Sequence, residues 1–178
     1  MRKIFVFGVV AVSWASWAVP AAWASIAGGT IAAHGKSFQE VPAISTSAVV
    51  ELTGTVDDAN TELTYTLTYS GLKGNVTQAH IHFGQMGVNG GIVVFLCSNL
   101  GNGPAGTQAC PAGSGTVTGT LTAADITGAA SQGIGPGAFN QVTQAIRQGV
   151  AYVNVHSTLF PGGETRGQIV FTRNRESE

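Results

Sequence analysis

Two histidines occupy alternate positions in the stretch Ala79-His80-Ile81-His82-Phe83, and this spacing is the clearest chemical signal in the sequence. In a β-strand the side chains alternate between two faces, so His80 and His82 share one face and their apolar neighbours share the other. Cα atoms two positions apart on a strand are separated by roughly 6.5–7 Å, which lets both imidazoles reach one metal ion. The stretch therefore predicts a strand with one packing face and one face for coordination or hydrogen bonding.

A third histidine, His156, ends the alternating run 151–156 near the C-terminus. If that run comes close to the first, His156 completes a three-nitrogen donor set with one open position, which suits copper or zinc. The alternative is that the three histidines only hydrogen-bond to the backbone or to Glu164 and hold strand ends together. The fourth histidine, His34, has no histidine or cysteine nearby and is predicted to be a surface residue.

Alternating and β-branched runs predict the strands that must position these histidines. In residues 63–69, large apolar residues hold the odd positions and threonines the even ones, the pattern of a sheet with one buried face. The predicted strands before residue 122 are an edge strand in 32–42 that Pro42 ends, then 49–56, 62–69, 76–83, 92–97 and 116–121. A single amphipathic helix is predicted over 138–148, where apolar residues recur at helical spacing.

The last two strands, 150–157 and 164–171, are predicted to form a hairpin through a Pro-Gly-Gly loop. A register with His156 opposite Glu164 collects the polar side chains of both strands on one outer surface. The same register gives two more cross-strand pairs, Asn154 with Arg166 and Tyr152 with Gln168. In total, seven or eight short strands with one convincing helix predict an all-β fold, an antiparallel β-sandwich.

The first 24 residues have the features of a secretory signal peptide: a positive start, an apolar centre, and the small-residue site Ala22-Trp23-Ala24. Cleavage after Ala24 leaves a single domain over 25–178, in which six basic residues oppose nine acidic ones, a formal net charge of −3. That balance offers no basic patch for nucleic acid or anionic lipid, and no membrane span is predicted after cleavage. The protein is therefore predicted to be secreted or periplasmic.

Cys97 and Cys110 are the only cysteines in the sequence, and export would place them in an oxidising compartment. A disulfide that closes this short loop is predicted to contribute roughly 3 kcal/mol in the chain-entropy description. A cysteine metal ligand is less favoured, because the glycine-rich segment 98–109 carries no histidine. The triplet Asn75-Val76-Thr77 fits the N-glycosylation pattern, which has a consequence only in a host that glycosylates secreted proteins.

The sequence has none of the motifs G-x-S-x-G, H-E-x-x-H or G-x-x-x-x-G-K-[ST]. Hydrolytic and phosphate-binding chemistry are therefore not indicated. Glu164 and Arg166 are predicted to form an ion pair or a hydrogen-bond network rather than an acid/base pair. A binding protein is accordingly favoured over an enzyme.

Several stretches together resemble the chordin-type domain, CHRD, across nearly all of the mature chain. They are Gln39-Glu40-Val41-Pro42, residues 76–82, Gly90-Gly91-Ile92-Val93-Val94, the helix leading to Gly149, residues 151–156 and residues 161–169. The resemblance implies an extracytoplasmic, immunoglobulin-like β-sandwich. In chordin these domains belong to an extracellular antagonist of growth factors, whereas many microbial members are single secreted domains.

A more distant similarity is to copper/zinc superoxide dismutases, which carry H-x-H in a strand, a histidine in a late V-x-V-H strand, and an arginine near the C-terminus. The similarity implies that His80, His82 and His156 are copper ligands, and that Arg166 guides anions. The sequence departs from the enzyme pattern, because it has no evident bridging histidine and no zinc-loop cluster of histidines with an aspartate. Glu164 also adds negative charge where an anionic substrate would approach.

The sequence therefore predicts a secreted or periplasmic CHRD-like binding module with one copper or zinc ion at the three histidines. The residues predicted to orient the ring nitrogens or to limit access are Asn154, Glu164 and Arg166. One alternative is a copper redox enzyme of the superoxide dismutase type. The other is a metal-free domain that binds an extracellular or periplasmic protein partner.

Overall fold

The computed structural model describes residues 28–174. The predicted signal peptide, residues 1–24, lies outside the described residues and stays a prediction. The described chain forms nine β-strands and one α-helix. They are β1 (Gly29–Lys36), β2 (Val49–Val56), β3 (Leu63–Ser70), β4 (Val76–Phe83), β5 (Gly91–Ser98), β6 (Gly115–Leu121), α1 (Phe139–Arg147), β7 (Ala151–Ser157), β8 (Thr165–Gln168) and β9 (Val170–Arg173).

All nine strands join one antiparallel sheet, with the strand order β5-β4-β7-β8-β1-β2-β3-β6 and with β9 beside β1. The sheet curls until its halves face each other, and the Tyr65 hydroxyl of β3 donates to the Leu96 carbonyl of β5 over 3.0 Å. The inward faces enclose one apolar core. The all-β antiparallel β-sandwich predicted from the sequence is confirmed, as is its short helix.

Strand β3 shows why the sheet forms. Its four large apolar residues are buried and its three threonines are exposed, which confirms the predicted alternation. Strand β2 pairs with it along its whole length, from Val49 opposite Ser70 to Val56 opposite Leu63. Full burial of one leucine side chain stabilises the fold by about 1.5–3 kcal/mol relative to exposure, so this hairpin supplies a large share of the core.

Helix α1 packs its apolar face against the sheet. Phe139, Val142 and Ile146 are buried, as the helical spacing predicted. Gly149 follows the helix with a φ of +68°, a conformation that glycine adopts without strain. The helix prediction is confirmed, and its bounds differ by one residue at each end.

The prediction of an edge strand in 32–42 is wrong. Strand β1 ends at Lys36 and lies inside the sheet, with β2 on one side and β8 and β9 on the other. Three of its four inward residues are small, namely Gly29, Ala33 and Gly35, and Gly35 packs directly against the backbone of Arg166. The polar composition suggested an edge, whereas the small residues are what allow neighbouring strands to approach here.

The last predicted strand, 164–171, is divided at Ile169 into β8 and β9. Ile169 is fully buried, and its amide donates to the Ala151 carbonyl over 2.9 Å. Strand β8 pairs with β7, while β9 pairs with β1. This division raises the number of described strands from the predicted seven or eight to nine.

Cys97 and Cys110 form a disulfide, as predicted. The bond ties β5 to the loop that leads into β6.

Between residues 28 and 174, no helix has the length and apolar character needed to cross a lipid bilayer.

We expect the double variant Cys97→Ala with Cys110→Ala to lose about 2–4 kcal/mol of unfolding free energy, because the bond closes a short loop in the unfolded chain. Urea unfolding followed by circular dichroism measures the loss. Reduced wild-type protein is the control and should unfold like the variant. Equal unfolding midpoints for the oxidised wild type and the variant would contradict this expectation.

Candidate metal centre

Strands β4 and β7 are neighbours in the sheet and bring the three predicted histidines together. His156 lies opposite Gln78, two positions from His80. The ring centroids are 4.9 Å apart for His80 and His156, 5.5 Å for His80 and His82, and 5.9 Å for His82 and His156. One ring nitrogen of each residue lies within 4.8 Å of the other two. The predicted clustering of the histidines is confirmed.

Hydrogen bonds to the backbone decide which ring nitrogens can act as ligands. Nδ1 of His82 lies 2.9 Å from the Gly90 carbonyl oxygen. Nδ1 of His156 lies 3.0 Å from the Pro161 carbonyl oxygen. Because a carbonyl oxygen only accepts, both Nδ1 atoms carry the proton and both Nε2 atoms carry the lone pair.

The remaining lone pairs of the cluster are not all satisfied by the protein. His80 Nδ1 donates to His156 Nε2 over 3.1 Å, which leaves His80 Nε2 as an acceptor. In the described part of the chain, Nε2 of His80 and Nε2 of His82 are buried and have no hydrogen-bond partner. Each such acceptor destabilises the fold by roughly 1–3 kcal/mol. Neutral imidazoles with free lone pairs are the donors that copper and zinc bind, so the cluster fits such an ion.

The cluster is buried, whereas the sequence predicted an outer polar surface, and that part of the prediction is wrong. The exposed fractions are 0% for His80, 7% for His82 and 5% for His156. Residues 84–90, which we call the covering segment, lie against His82 through Gly90. Every residue of β7 is buried, so this strand contacts protein on both faces.

Burial keeps the imidazoles neutral. Loss of hydration, together with the neighbouring rings of His156 and His82, lowers the pKa of His80 to about 2. Loss of hydration also lowers the pKa of His82 to about 4, although its hydrogen bond to Gly90 opposes the shift. The pKa of His156 is lowered for the same reason. The neutral ring is the form that binds a metal, so the site is ready for an ion at neutral pH.

Tyr152 connects the histidines to a buried arginine. Its ring stacks on His82 with centroids 4.8 Å apart and an interplanar angle of 5°. The guanidinium carbon of Arg166 lies 4.4 Å from the centre of the same ring. Because β7 lies between β4 and β8, the two contacts come from opposite sides of Tyr152. Tyr152 therefore contacts both Arg166 and His82, and the positive charge of Arg166 also contributes to the lowered pKa of His82 and of His156.

Arg166 forms its ion pair with Glu40, not with Glu164 as the sequence predicted. Arg166 Nε donates to Glu40 Oε2 over 2.9 Å, and both side chains are buried. Burial raises the pKa of Glu40, while the charge of Arg166 opposes that rise. Sequence reasoning did not include Glu40 among the site residues. The only feature of the sequence that pointed to Glu40 was its position in the stretch Gln39-Glu40-Val41-Pro42, which resembles the CHRD domain.

The other two predicted supporting residues occupy different places. Asn154 lies opposite His80 in the β4–β7 register, and its Nδ2 donates to Glu40 Oε2 at 3.5 Å. The carboxylate of Glu164 accepts a hydrogen bond from the Lys73 amide at 2.6 Å. The structure therefore has Asn154 beside the cluster and Glu164 at the turn that precedes β4.

A comparison with protein-family models matches residues 31–169 to the CHRD domain. No curated protein matches the chain, and no solved structure matches it. The similarity to superoxide dismutases consequently rests on the residue pattern alone.

Gly163 packs against the polar side chains beside the histidines. We expect Gly163→Ala to destabilise the protein by about 1–3 kcal/mol. Its φ of +127° is unfavourable for alanine, and a Cβ atom would lie 2.6 Å from Asn154 Oδ1 and 2.7 Å from Glu40 Oε1. Urea unfolding measures the effect. Gly162→Ala is the matched control, because a Cβ atom there meets nothing within 4 Å. Equal losses in the two variants would refute the packing argument.

We expect the metal-free protein to lose stability as the pH falls below 6.5. Unfolded histidines take up protons near their ordinary pKa of 6.5, whereas burial lowers the pKa of His82 to about 4. The unfolded state therefore binds more protons in this window, and the free energy of unfolding falls as the solution is acidified. For His82 alone the loss between pH 7 and pH 5 is about 2 kcal/mol.

Urea unfolding of chelator-treated protein at the two pH values tests this expectation. The variant His82→Asn removes one of the groups that resist protonation, so its stability should depend less steeply on pH than that of the wild type. An identical pH dependence in both proteins would show that His82 does not contribute.

Proposed function

The chain belongs to the CHRD domain family, and on that premise we propose that it is an exported binding module holding one copper or zinc ion at His80, His82 and His156. Export is proposed from the signal-like residues 1–24 and is supported by the disulfide, since such bonds persist in oxidising compartments. The proposed ligand of the module beyond the metal is a protein outside the cytoplasm.

One observation carries the metal proposal: backbone carbonyls fix the tautomers of two of the three rings. With Nδ1–H of His82 and of His156 donated to Gly90 and Pro161, both Nε2 lone pairs belong to the cluster. Hydrogen bonds of this kind commonly orient metal-binding histidines and raise their basicity. Histidines that only hydrogen-bonded to the backbone would be held in the same way, but they would not leave the buried Nε2 atoms of His80 and His82 without a partner in the described part of the chain.

The spacing of the nitrogens supports the same conclusion. Nitrogen atoms bound to one ion at about 2.0–2.1 Å in tetrahedral geometry lie roughly 3.3 Å from each other. His80 Nδ1 and His156 Nε2 are already 3.1 Å apart. For all three rings to hold one ion, His80 would carry its proton on Nε2 instead of Nδ1, so that His80 Nδ1, His156 Nε2 and His82 Nε2 could serve as the ligands. Three protein ligands leave a fourth position for water or another small ligand.

The donor set favours copper over zinc when both ions are available. Imidazole accommodates either ion, and divalent copper binds a given nitrogen site more tightly than zinc does. Burial keeps the three rings neutral and excludes bulk water from the cluster, and hydrogen bonds to backbone carbonyls hold the tautomers of His82 and His156.

The contacts that Arg166 already makes within the protein count against a superoxide dismutase-like reaction. Its guanidinium is paired with Glu40 and also donates to the Val88 carbonyl and to Asn89. An arginine that guides anions must offer uncompensated positive charge to solvent. In this chain the positive charge is compensated and buried, so we favour binding over redox catalysis.

We expect the wild-type protein to take up one equivalent of Cu²⁺ and to retain it in competition with Zn²⁺. The variant His82→Ala removes one ligand and should weaken binding by more than about 100-fold, since outer partners of a ligand alone account for 10–100-fold. Isothermal titration calorimetry with metal analysis of the purified complex measures both quantities.

His34→Ala is the matched control, because it removes an exposed imidazole that is paired with Glu51. It should bind copper as the wild type does. Equal affinity in His82→Ala and wild type would reject the site. A wild-type protein that takes up neither ion would leave the metal-free interaction domain as the function.

A further inference from the structure

The covering segment is tied down at both ends by contacts that do not involve the histidines. The Gly84 amide donates to the Val150 carbonyl over 2.9 Å, and its carbonyl accepts from Gln168 Nε2 at 3.1 Å. At the other end, the Gly91 amide donates to Gln132 Oε1 over 2.6 Å. The ends of the segment are therefore fixed to the strands and loops around it.

The middle of the covering segment is held by polar side chains instead. Arg166 Nη1 donates to the Val88 carbonyl over 3.2 Å, and Arg166 Nη2 donates to Asn89 Oδ1. Asn89 Nδ2 in turn donates to the Val41 carbonyl over 3.0 Å. Met86, near the tip, is 76% exposed and so adds little packing. A few hydrogen bonds thus hold the middle in place.

Residues 88–90, the C-terminal part of the covering segment, contact the site. The Gly90 amide donates to the Tyr152 hydroxyl over 3.1 Å, and the Gly90 carbonyl accepts from His82 Nδ1. If residues 88–90 move away, His82 loses the partner that fixes its tautomer and becomes open to solvent. Displacement of this portion is consequently a direct route by which an ion could reach the cluster.

We propose that Glu40, Asn89 and Arg166 form a clasp that sets how fast a metal ion enters and leaves the histidine site. This inference rests on the proposed metal-binding function and concerns its kinetics. Glu40 holds the guanidinium of Arg166 in place, and Arg166 and Asn89 hold the covering segment. All three are positioning residues, because none of them makes a hydrogen bond to a histidine ring among the described residues.

Asn89 gives the sharpest test, because it is exposed and its removal leaves the core intact. Asn89→Ala deletes the acceptor for Arg166 and the donor to Val41. Gln85→Ala is the matched control: it lies in the same segment, is exposed, and has no side-chain hydrogen bond within the described structure. Asn89→Asp keeps an acceptor for Arg166 and loses the donor to Val41, so it serves as a partial rescue.

We expect Asn89→Ala to accelerate both copper uptake and copper release by about tenfold, the factor that corresponds to losing one hydrogen bond to a charged group. The dissociation constant should change by less than about threefold, because both rates rise together. Stopped-flow mixing with copper, and then with excess chelator, measures the two rates. Gln85→Ala should match the wild type in both rates and in its thermal unfolding midpoint, whereas Asn89→Asp should be accelerated less than Asn89→Ala.

A second measurement needs no metal. Diethyl pyrocarbonate modifies exposed imidazole nitrogens, so the rate at which it labels His82 in chelator-treated protein reports opening of the covering segment. Labelling should be about tenfold faster in Asn89→Ala than in wild type and unchanged in Gln85→Ala.

The two measurements separate the possible failures. Unchanged copper rates and unchanged labelling in Asn89→Ala would overturn the clasp. Faster labelling in a protein that takes up no copper would support control of access to His82 and would reject the proposed metal function. Equal acceleration by Gln85→Ala would overturn the clasp as well, because any change in the segment would then suffice.

Discussion

The antiparallel pairing of β4 with β7 is the contact on which the site depends. It places His156 beside His80 although 76 positions separate them in the chain. The covering segment lies against this face of the strands, so the imidazoles lose their hydration and stay neutral. Strand pairing supplies the proximity and the cover supplies the burial, and together they create nitrogen lone pairs that a metal ion can use.

Burying so many polar groups requires compensation, and a single connected set of contacts supplies it. Glu40 neutralises Arg166, Arg166 stacks on Tyr152, and Tyr152 stacks on His82. The same arginine holds the covering segment over the cluster. An ion pair with both partners buried is costly unless its remaining hydrogen-bonding groups are satisfied. The covering segment provides those partners for Arg166, whereas Glu40 Oε1 has no hydrogen-bond partner in the described part of the chain. The contacts that stabilise the buried charge of Arg166 also hold the covering segment over the site.

Much of the architecture follows from local patterns. Alternation predicted the strand that carries His80 and His82 with its observed bounds, and helical spacing predicted α1 within one residue. The register of the last hairpin was also predicted, with Asn154 opposite Arg166. The interior position of β1 in the sheet was not predicted, because its polar and small residues resemble those of an edge strand. Glu40 was missed for a related reason, since no local pattern tells which arginine a lone carboxylate will meet.

The sequence by itself determined which residues share a strand face, because that depends only on a two-residue period. The period indicated the three histidines and the sandwich, and the presence of only two cysteines indicated the disulfide. Only the tertiary structure decided that the histidine face is buried and that Arg166 forms its ion pair with Glu40. Those outcomes depend on how the covering segment and the residues before Pro42 fold across the strands. Such long-range packing is set by the sum of many weak contacts and produces no periodic pattern in the sequence.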